Sequence, residues 1–286
     1  MSMLSMAMMA APILALTFPA IDPVLFSVGP LAIRWYALAY VAGLVLGWLY
    51  ARRIAANAAL WGGRVRPSAI DLDDLLVYAA AGVVIGGRLG YVLFYNPAFF
   101  LENPGEIIAV WRGGMAFHGG LAGCLVALTI LAQRRGLPVL SLADVTAAAA
   151  PVGLLFGRIA NFINGELWGR PTDVSWAVVF PHGGPMPRHP SQLYEAATEG
   201  LLLFLLLAWA IRLGALRRPG LVCGLFGIGY GVARIGCEFF REPDPQLGFL
   251  IAGSTMGMLL SLPLVAAGAW LTLRALRRPA VEAVRP

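Results

Sequence analysis

Ionisable side chains lie within stretches of sequence that are otherwise almost entirely apolar. They are Arg88, His118, Arg158, Glu195, Glu199, Arg234 and Glu238. Arginine carries a permanent charge and a planar fork of donors that matches phosphate, and histidine is suited to accept a proton near neutral pH. These residue types therefore predict a pocket that binds a phosphate, such as an anionic phospholipid headgroup, and that moves a proton.

Four of the candidate residues share one face of a predicted helix. Tyr230, Arg234, Glu238 and Arg241 follow the spacing i, i+4, i+8 and i+11. Residues at these intervals lie above one another on a helix, so they form a single polar stripe. A carboxylate within this stripe would limit the free energy that burying the arginines requires.

A second polar group follows another apolar stretch. Arg158 and Asn161 are separated by three residues, and Asn164 and Glu166 come just beyond them. We expect Glu166 and Glu238 to hold the guanidinium groups in place.

Two candidates also have plain structural explanations. An arginine near the end of a membrane helix, such as Arg88, can extend its charge to the lipid headgroups. A lone histidine on an apolar face is more often structural than catalytic. His118, however, is followed by Gly119 and Gly120, which let a helix or a ligand approach closely. For Arg88 and for His118 alike, a structural role and a functional role both stay open.

The composition indicates which elements position these residues. The chain has 286 residues, of which 59% are hydrophobic and 13% are charged, and its mean hydropathy is +0.76. The charged fraction is about half of that in soluble domains. These values exclude a soluble domain, a disordered chain and a disulfide scaffold. They predict an all-α integral membrane protein.

Seven apolar runs are long enough to cross a bilayer, which needs roughly 20 residues. Because no composition shift separates them, residues 1–286 are predicted to form one membrane domain. Ser68 with Asp71 and Ser141 with Asp144 have the spacing of helix capping boxes. The predicted spans are 31–50, 75–95, 113–133, 142–162, 193–213, 220–240 and 247–273.

The distribution of arginine predicts the orientation of the spans. The chain contains no lysine. Thirteen arginines flank the spans on one side and five on the other. Since basic residues accumulate on the cytoplasmic side, the C-terminus is predicted inside and the N-terminus outside. The candidate site residues then lie within roughly 10 Å of the outer boundary, from a helix rise of 1.5 Å per residue.

The outer loops differ in character. Residues 163–192 are predicted to form a small extracytoplasmic head. Residues 18–36 and 96–112 mix aromatic residues with proline and charge, which is typical of segments at the membrane interface.

Several classes of function are excluded or disfavoured. The net charge of +6 is spread between apolar runs, whereas a nucleic-acid binder would cluster it on a solvated patch. The three cysteines lie in apolar runs, which argues against a disulfide framework or a zinc site. A transporter would need polar residues through both leaflets, and an intramembrane protease would need a Ser–His or paired-Asp arrangement. The sequence shows neither pattern.

Residues 157–169, GRIANFINGELWG, resemble the signature of the prolipoprotein diacylglyceryl transferases. Three further blocks agree with this resemblance, which extends from about residue 18 to residue 273. They are the opening FP-x-x-DPV-x-FS-x-GP with RWY, the block GGM-x-FHGGL-x-G at 113–123, and RHPSQLYEA with GYG-x-x-R-x-x-x-EFFR-x-PD at 188–196 and 229–244.

The resemblance implies a bacterial inner-membrane enzyme with seven spans. Such an enzyme moves the diacylglyceryl group of phosphatidylglycerol onto the lipobox cysteine thiol of a prolipoprotein. The products are a thioether and glycerol phosphate, and no metal or cofactor takes part. Its partners are membrane lipids and signal peptides, not nucleic acid. The head of this chain is shorter between Pro171 and His189 than the family pattern.

The resemblance also implies roles for individual residues. His118 lies close to the reacting centre, and Arg158 and Arg234 bind the lipid phosphate. Glu166 and Glu238 support them. Indispensable residues are Tyr36, Asn161 and Gly169. From their depth and spacing, Arg88, Tyr230 and Arg241 complete the predicted lipid-binding set.

Overall fold

The computed structural model describes residues 16–19, 21–29, 31–243 and 248–278. Over these ranges the chain is mostly helical, which confirms the predicted all-α class. Its long helices are α1 (Trp35–Ala56), α2 (Ala69–Phe94), α3 (Phe117–Arg134), α4 (Val139–Ile163), α5 (Ser191–Arg212), α6 (Leu221–Glu238) and α7 (Met256–Arg277).

Six of these helices are long and apolar enough to cross a membrane, judged by length and composition within the described ranges. The helix outside that set is α3, which has 18 residues and corresponds to the predicted span 113–133. Each of the other six predicted spans overlaps one of the six helices. The structure therefore supports six spans directly.

Four of the long helices begin four or more residues away from the predicted starts of their spans. Helix α2 begins at Ala69 rather than at residue 75, because its first turns are polar and were not counted in the apolar run. Residues Leu31–Arg34 form a strand, so α1 begins at Trp35 rather than at residue 31. Gly113 and Gly114 have positive φ angles of 83° and 78°, so α3 begins only at Phe117. The last helix begins at Met256, after a short turn at Ile251–Gly253. Residue 247, where that span was predicted to start, lies outside the described residues.

Short elements connect the long helices. The strands are β1 (Leu16–Thr17), β2 (Val24–Val28), β3 (Leu31–Arg34) and β4 (Val178–Val179). A six-residue helix covers Pro97–Glu102, and single 3₁₀ turns cover Ala58–Leu60, Pro104–Ile108, Val110–Arg112, Ala215–Arg217 and Ile251–Gly253.

The chain divides into two compact units. The first contains Met1–Val45, Pro151–Phe204 and Ile228–Ala266. The second contains Leu46–Ala150, Leu205–Gly227 and Ala267–Pro286.

In the first unit, the predicted arm 18–36 contains a β-hairpin. β2 pairs antiparallel with β3, with Val28 opposite Leu31 and Val24 opposite Arg34. Gly29 takes a φ of +58° in the connecting turn, a conformation that glycine adopts without strain. β1 pairs in parallel with β4, so the start of the described chain is tied to the segment between α4 and α5.

In the second unit, α2 and α3 meet through glycines. A Cβ atom on Gly82 would lie 2.5 Å from the carbonyl oxygen of Gly123, and one on Gly90 would lie 2.9 Å from Cα of Gly119. Gly86, one turn from each of these α2 glycines, also packs against the backbone of α3. The two backbones are therefore in direct contact, as in small-residue interfaces of membrane helices.

The first predicted capping box is confirmed. The Oγ of Ser68 accepts a hydrogen bond from the backbone N–H of Asp71 at 3.2 Å, and Asp71 Oδ2 accepts one from the Ser68 N–H at 2.8 Å. These bonds satisfy two of the donors that a helix start leaves unpaired, so α2 begins cleanly at Ala69.

The second predicted capping box is wrong. Helix α4 begins at Val139, so Ser141 lies inside it. Asp144 instead accepts backbone N–H donors from Gly220 at 2.7 Å and Cys223 at 2.8 Å. This buried carboxylate caps the first turn of α6 across a tertiary contact, a partner that local spacing does not reveal.

We expect Gly86→Ala to destabilise the second unit by about 1–3 kcal/mol, because the added methyl group overlaps the backbone of α3. The measurement is the thermal unfolding midpoint in detergent micelles. Gly153→Ala in α4 is the matched control, since a Cβ atom there meets nothing within 4 Å. An equal midpoint for both variants would contradict the tight contact.

Candidate functional site

A cluster of ion pairs forms the polar centre of the first unit. We call it the guanidinium cluster. The three arginine side chains are between 11% and 16% exposed, and the three glutamates are at most 4% exposed. Its members are Arg158, Arg234 and Arg241 with Glu195, Glu199 and Glu238.

Arg158 pairs with two carboxylates, one through each terminal nitrogen of its guanidinium group. Its Nη1 lies 3.1 Å from Glu195 Oε2, and its Nη2 lies 3.3 Å from Glu199 Oε2. Since the two carboxylates stand one helical turn apart on α5, a planar fork can reach both. A lysine ammonium at the same place would reach them only as a point charge.

Glu195 contacts all three arginines of the cluster. Besides Arg158, its carboxylate pairs closely with Arg234 Nη1 and lies 3.3 Å from Arg241 Nη1. Arg234 also pairs closely with Glu238 on its own helix. Glu195 is fully buried, so the structure places one carboxylate at the centre of three guanidinium groups.

Backbone features of α5 bring these charges together. Residues Ala196–Leu202 are π-helical, a local widening that often occurs at functional sites. Within that segment, a Cβ atom on Gly200 would lie 2.8 Å from Cα of Leu155. The missing side chain lets α4 approach, and Arg158 lies one turn further along α4 than this contact.

Glu238 is held from the start of α7. Thr255 donates its hydroxyl hydrogen bond to Glu238 Oε2. A Cβ atom on Gly257 would lie 2.5 Å from Glu238 Oε1, so a side chain here would force this carboxylate to move. Glu238 is thus held in the position from which it pairs with Arg234, as predicted.

Glu166 has different partners from those expected. It accepts hydrogen bonds from the side chains of Asn161 at 2.8 Å and Asn164 at 3.5 Å, not from a guanidinium group. Its own backbone carbonyl accepts a bond from the Gln192 side chain. This group thus links the end of α4 to the start of α5.

Gly169 lies where the loop after α4 contacts the backbone just before α5 and just after α6. Its N–H donates to the carbonyl of His189 at 2.8 Å, and it pairs in a bridge with Arg241. A Cβ atom would lie 2.7 Å from the His189 carbonyl oxygen. A side chain here would push the residues after α6 away from this loop, which explains the choice of glycine.

Aromatic residues form the next layer. Tyr194 OH accepts a hydrogen bond from Trp176 Nε1 at 2.7 Å and lies 3.1 Å from His189 Nδ1. Burial lowers the pKa of His189, because desolvation disfavours the charged imidazolium. An apolar cavity of about 480 Å³ adjoins this layer, and Phe162 and Leu193 are among its lining residues.

The two tyrosines of the predicted set lie on different helices. Tyr36 is in the first turn of α1, and its hydroxyl oxygen lies 3.1 Å from that of Tyr40. Tyr230 lies one turn before Arg234 on α6.

Arg88 belongs to the second unit, where it is 6% exposed. Its Nε donates to the carbonyl of Ile107 at 2.9 Å, and its Nη1 donates to the carbonyl of Gly114 at 3.2 Å. Further bonds run to the carbonyls of Glu106 and Gly113. In the described structure this guanidinium group therefore holds residues 106–114 to α2.

His118 also belongs to the second unit. It is the second residue of α3 and is exposed, with its ring edge-on to Phe117 at 5.4 Å between centroids. It lies nearer to the helix start than the predicted span 113–133 implies, because the two preceding glycines delay that start.

Among the described residues, no group of three or more His, Cys, Asp or Glu side chains is arranged to hold a metal ion. The carboxylates of the guanidinium cluster are already paired with arginines. The chemistry that this site offers is that of guanidinium groups held in place by buried carboxylates.

The sequence profile of the prolipoprotein diacylglyceryl transferases matches residues 23–274. The chain belongs to this family. The match confirms the resemblance inferred from the motifs. It includes every residue of the guanidinium cluster, together with His118, Asn161, Glu166 and Gly169.

Similar relatives carry the name phosphatidylglycerol–prolipoprotein diacylglyceryl transferase. The protein of Methylocella silvestris is 68% identical over 268 residues, which are 94% of this chain and 98% of the relative. That of Beijerinckia indica is 66% identical over 92% of this chain and 96% of the relative. That of Rhodopseudomonas palustris is 57% identical over 93% and 94%.

The main counterions of the guanidinium cluster were not predicted from the sequence. Glu195 and Glu199 are among the ionisable residues in apolar stretches, yet Glu166 and Glu238 were expected to hold the arginines. The available signal was their spacing of four residues on one predicted span. Two carboxylates on one face of a membrane helix require cations from neighbouring helices.

Proposed function

We propose that this transferase moves the diacylglyceryl group of phosphatidylglycerol onto the thiol of the lipobox cysteine of a prolipoprotein. The relatives at 56–68% identity are named for this lipid and this acceptor. The observation that carries the proposal is the guanidinium cluster, in which buried carboxylates hold three arginines that suit a phosphate group.

The reaction exchanges one bond for another. The cysteine thiolate attacks the glycerol carbon that is bonded to the phosphate oxygen, and a C–S bond forms as this C–O bond breaks. The bonding electron pair leaves with glycerol phosphate, and the thiol proton goes to a base. Arg158 and Arg234 stabilise the negative charge that grows on the leaving phosphate. No step calls for a metal or a cofactor.

The remaining candidate residues have supporting roles in this proposal. His118 is the base, because an imidazole is suited to accept a proton near neutral pH. Asn161 and Glu166 hold the loop after α4, and Glu238 orients Arg234. The lipid-binding set also includes Tyr36, Arg88, Gly169, Tyr230 and Arg241.

The proposed setting is the bacterial inner membrane. We assign α1 to α7 as seven spans, with the N-terminus outside, the C-terminus in the cytoplasm and residues 163–192 as an extracytoplasmic head. The arginine count of thirteen to five supports this orientation.

The topology can be tested by labelling a single cysteine. We expect a Ser175→Cys variant, with Cys124, Cys223 and Cys237 replaced by alanine, to react with a membrane-impermeant maleimide in intact spheroplasts. Ser175 is exposed in the segment between α4 and α5. Labelling only after lysis would place this segment inside and contradict the assignment.

The transfer reaction and the arginine roles can be tested together. Purified protein in phosphatidylglycerol vesicles should add the mass of a diacylglyceryl group to a lipobox peptide and release glycerol phosphate in equal amount. A peptide with serine in place of the cysteine is the control. Retention of phosphorus on the modified peptide would contradict the proposed bond cleavage.

In this assay, Arg158→Lys and Arg234→Lys should each lower kcat/KM by about 10- to 100-fold. The reason is that each substitution keeps the charge but loses a charge-assisted hydrogen bond. Arg112→Lys is the matched control, because that side chain is 64% exposed and pairs with one carboxylate. Full activity of both cluster variants would exclude the forked contacts as functional.

The role of His118 can be tested by the pH dependence of His118→Gln. We expect this variant to bind phosphatidylglycerol but to lose roughly 10²–10⁴ in transfer rate. The deficit should shrink as the pH approaches the thiol pKa, since hydroxide then supplies the thiolate. A constant deficit from pH 6.5 to 9 would reject the base role and leave His118 as a packing or lipid-positioning residue.

A further inference from the structure

The guanidinium cluster is electrically neutral when all of its members are ionised. Its three arginines and three glutamates are joined by ion pairs within the described part of the chain. The proposed lipid brings a phosphodiester with one negative charge. A bound lipid would then leave an uncompensated negative charge in a site whose carboxylates are at most 4% exposed, which is energetically unfavourable.

The three carboxylates are not equally well compensated. Glu195 pairs with all three arginines. Glu238 pairs closely with Arg234 and accepts the Thr255 hydroxyl. In both arrangements, close donors compensate the negative charge of the carboxylate.

Glu199 is the least compensated of the three. One of its oxygens lies 3.3 Å from Arg158 Nη2. The other, Oε1, lies 3.7 Å from Arg234 Nη1 and is buried without a hydrogen-bond partner. Glu195 Oε2 also lacks a hydrogen bond of good geometry, but it lies closer to a guanidinium nitrogen, at 3.1 Å from Arg158.

Groups from three helices face Glu199. Tyrosine and cysteine are uncharged near neutral pH in ordinary surroundings, so the charged neighbours are two arginines and one carboxylate. The facing groups are Arg158 from α4, Tyr230, Arg234 and Cys237 from α6, and Glu195 from α5 itself.

Charged groups next to the cluster do not alter its balance. Arg170 donates to the backbone carbonyls of Arg241 at 2.9 Å and Glu238 at 3.0 Å, at the end of α6. The carboxylate of Glu166 accepts hydrogen bonds from two asparagines. The positive charge of Arg170 and the negative charge of the Glu166 carboxylate offset each other.

We propose that Glu199 carries a proton when the lipid is bound, so that the guanidinium cluster holds a net charge of +1 against the phosphodiester. Glu195 stays ionised and keeps the three arginines in position. Glu199 is thus a positioning residue that sets the charge of the site. The inference rests on the proposed lipid substrate, but its tests require no transfer.

Infrared spectroscopy can detect this proton directly. The C=O stretching band of a protonated carboxylic acid is separate from the bands of carboxylates. We expect the band in the difference between wild type and Glu199→Gln, both in phosphatidylglycerol vesicles. Other carboxyl groups, including buried Asp144, are present in both proteins and cancel. Glu242→Gln is the matched control, since its exposed carboxylate pairs with Arg188 and should give no such band.

The second test is lipid binding as a function of pH, with no acceptor peptide present so that no transfer occurs. The apparent affinity of wild type for phosphatidylglycerol should fall as Glu199 loses its proton, by at most tenfold per pH unit because one proton is involved. Glu199→Gln cannot ionise, so its pH dependence should be flatter.

A difference spectrum without the protonated band, or a pH dependence that Glu199→Gln leaves unchanged, would overturn the inference. Loss of peptide modification by the wild-type protein would defeat the proposed function instead. The two failures are distinguishable because neither test of Glu199 requires turnover.

Discussion

The first unit depends on the attraction between one buried carboxylate and three guanidinium groups. Removing Glu195 from water costs several kcal/mol, and so does removing the arginines around it. Each charge is tolerable only because the others are present. Four segments of the chain must therefore meet at one point. They are α4, α5, α6 and the short segment after α6 that contains Arg241.

Small residues make that meeting possible. Gly200 admits α4 to α5, Gly257 leaves space for Glu238, and Gly169 lets the loop after α4 contact the backbone after α6. The π-helical segment of α5 lies in the same region. Electrostatic attraction determines which side chains form ion pairs. The close backbone contacts set the distances over which the arginine guanidinium groups reach the carboxylates.

Much of the fold and part of the site could be predicted from the sequence. Apolar length gave the positions of the long helices, and spacing gave the stripe of Arg234, Glu238 and Arg241. The pairing of Glu195 with three arginines and the capping of α6 by Asp144 could not be predicted. Both depend on which helices become neighbours, and a single sequence contains no direct signal of that. Helix starts were misjudged where glycines or a strand intervene.

The backbone contacts around Gly169 have a consequence for how this chain can change over evolution. The Gly169 N–H bonds to the His189 carbonyl, and the Arg170 N–H bonds to the Phe240 carbonyl next to Arg241. These bonds fasten the base of the segment between α4 and α5 to the rest of the first unit. Insertions or deletions within the turns at 181–187 leave these bonds in place. The tip can therefore diversify in length while the base of the segment keeps its backbone contacts.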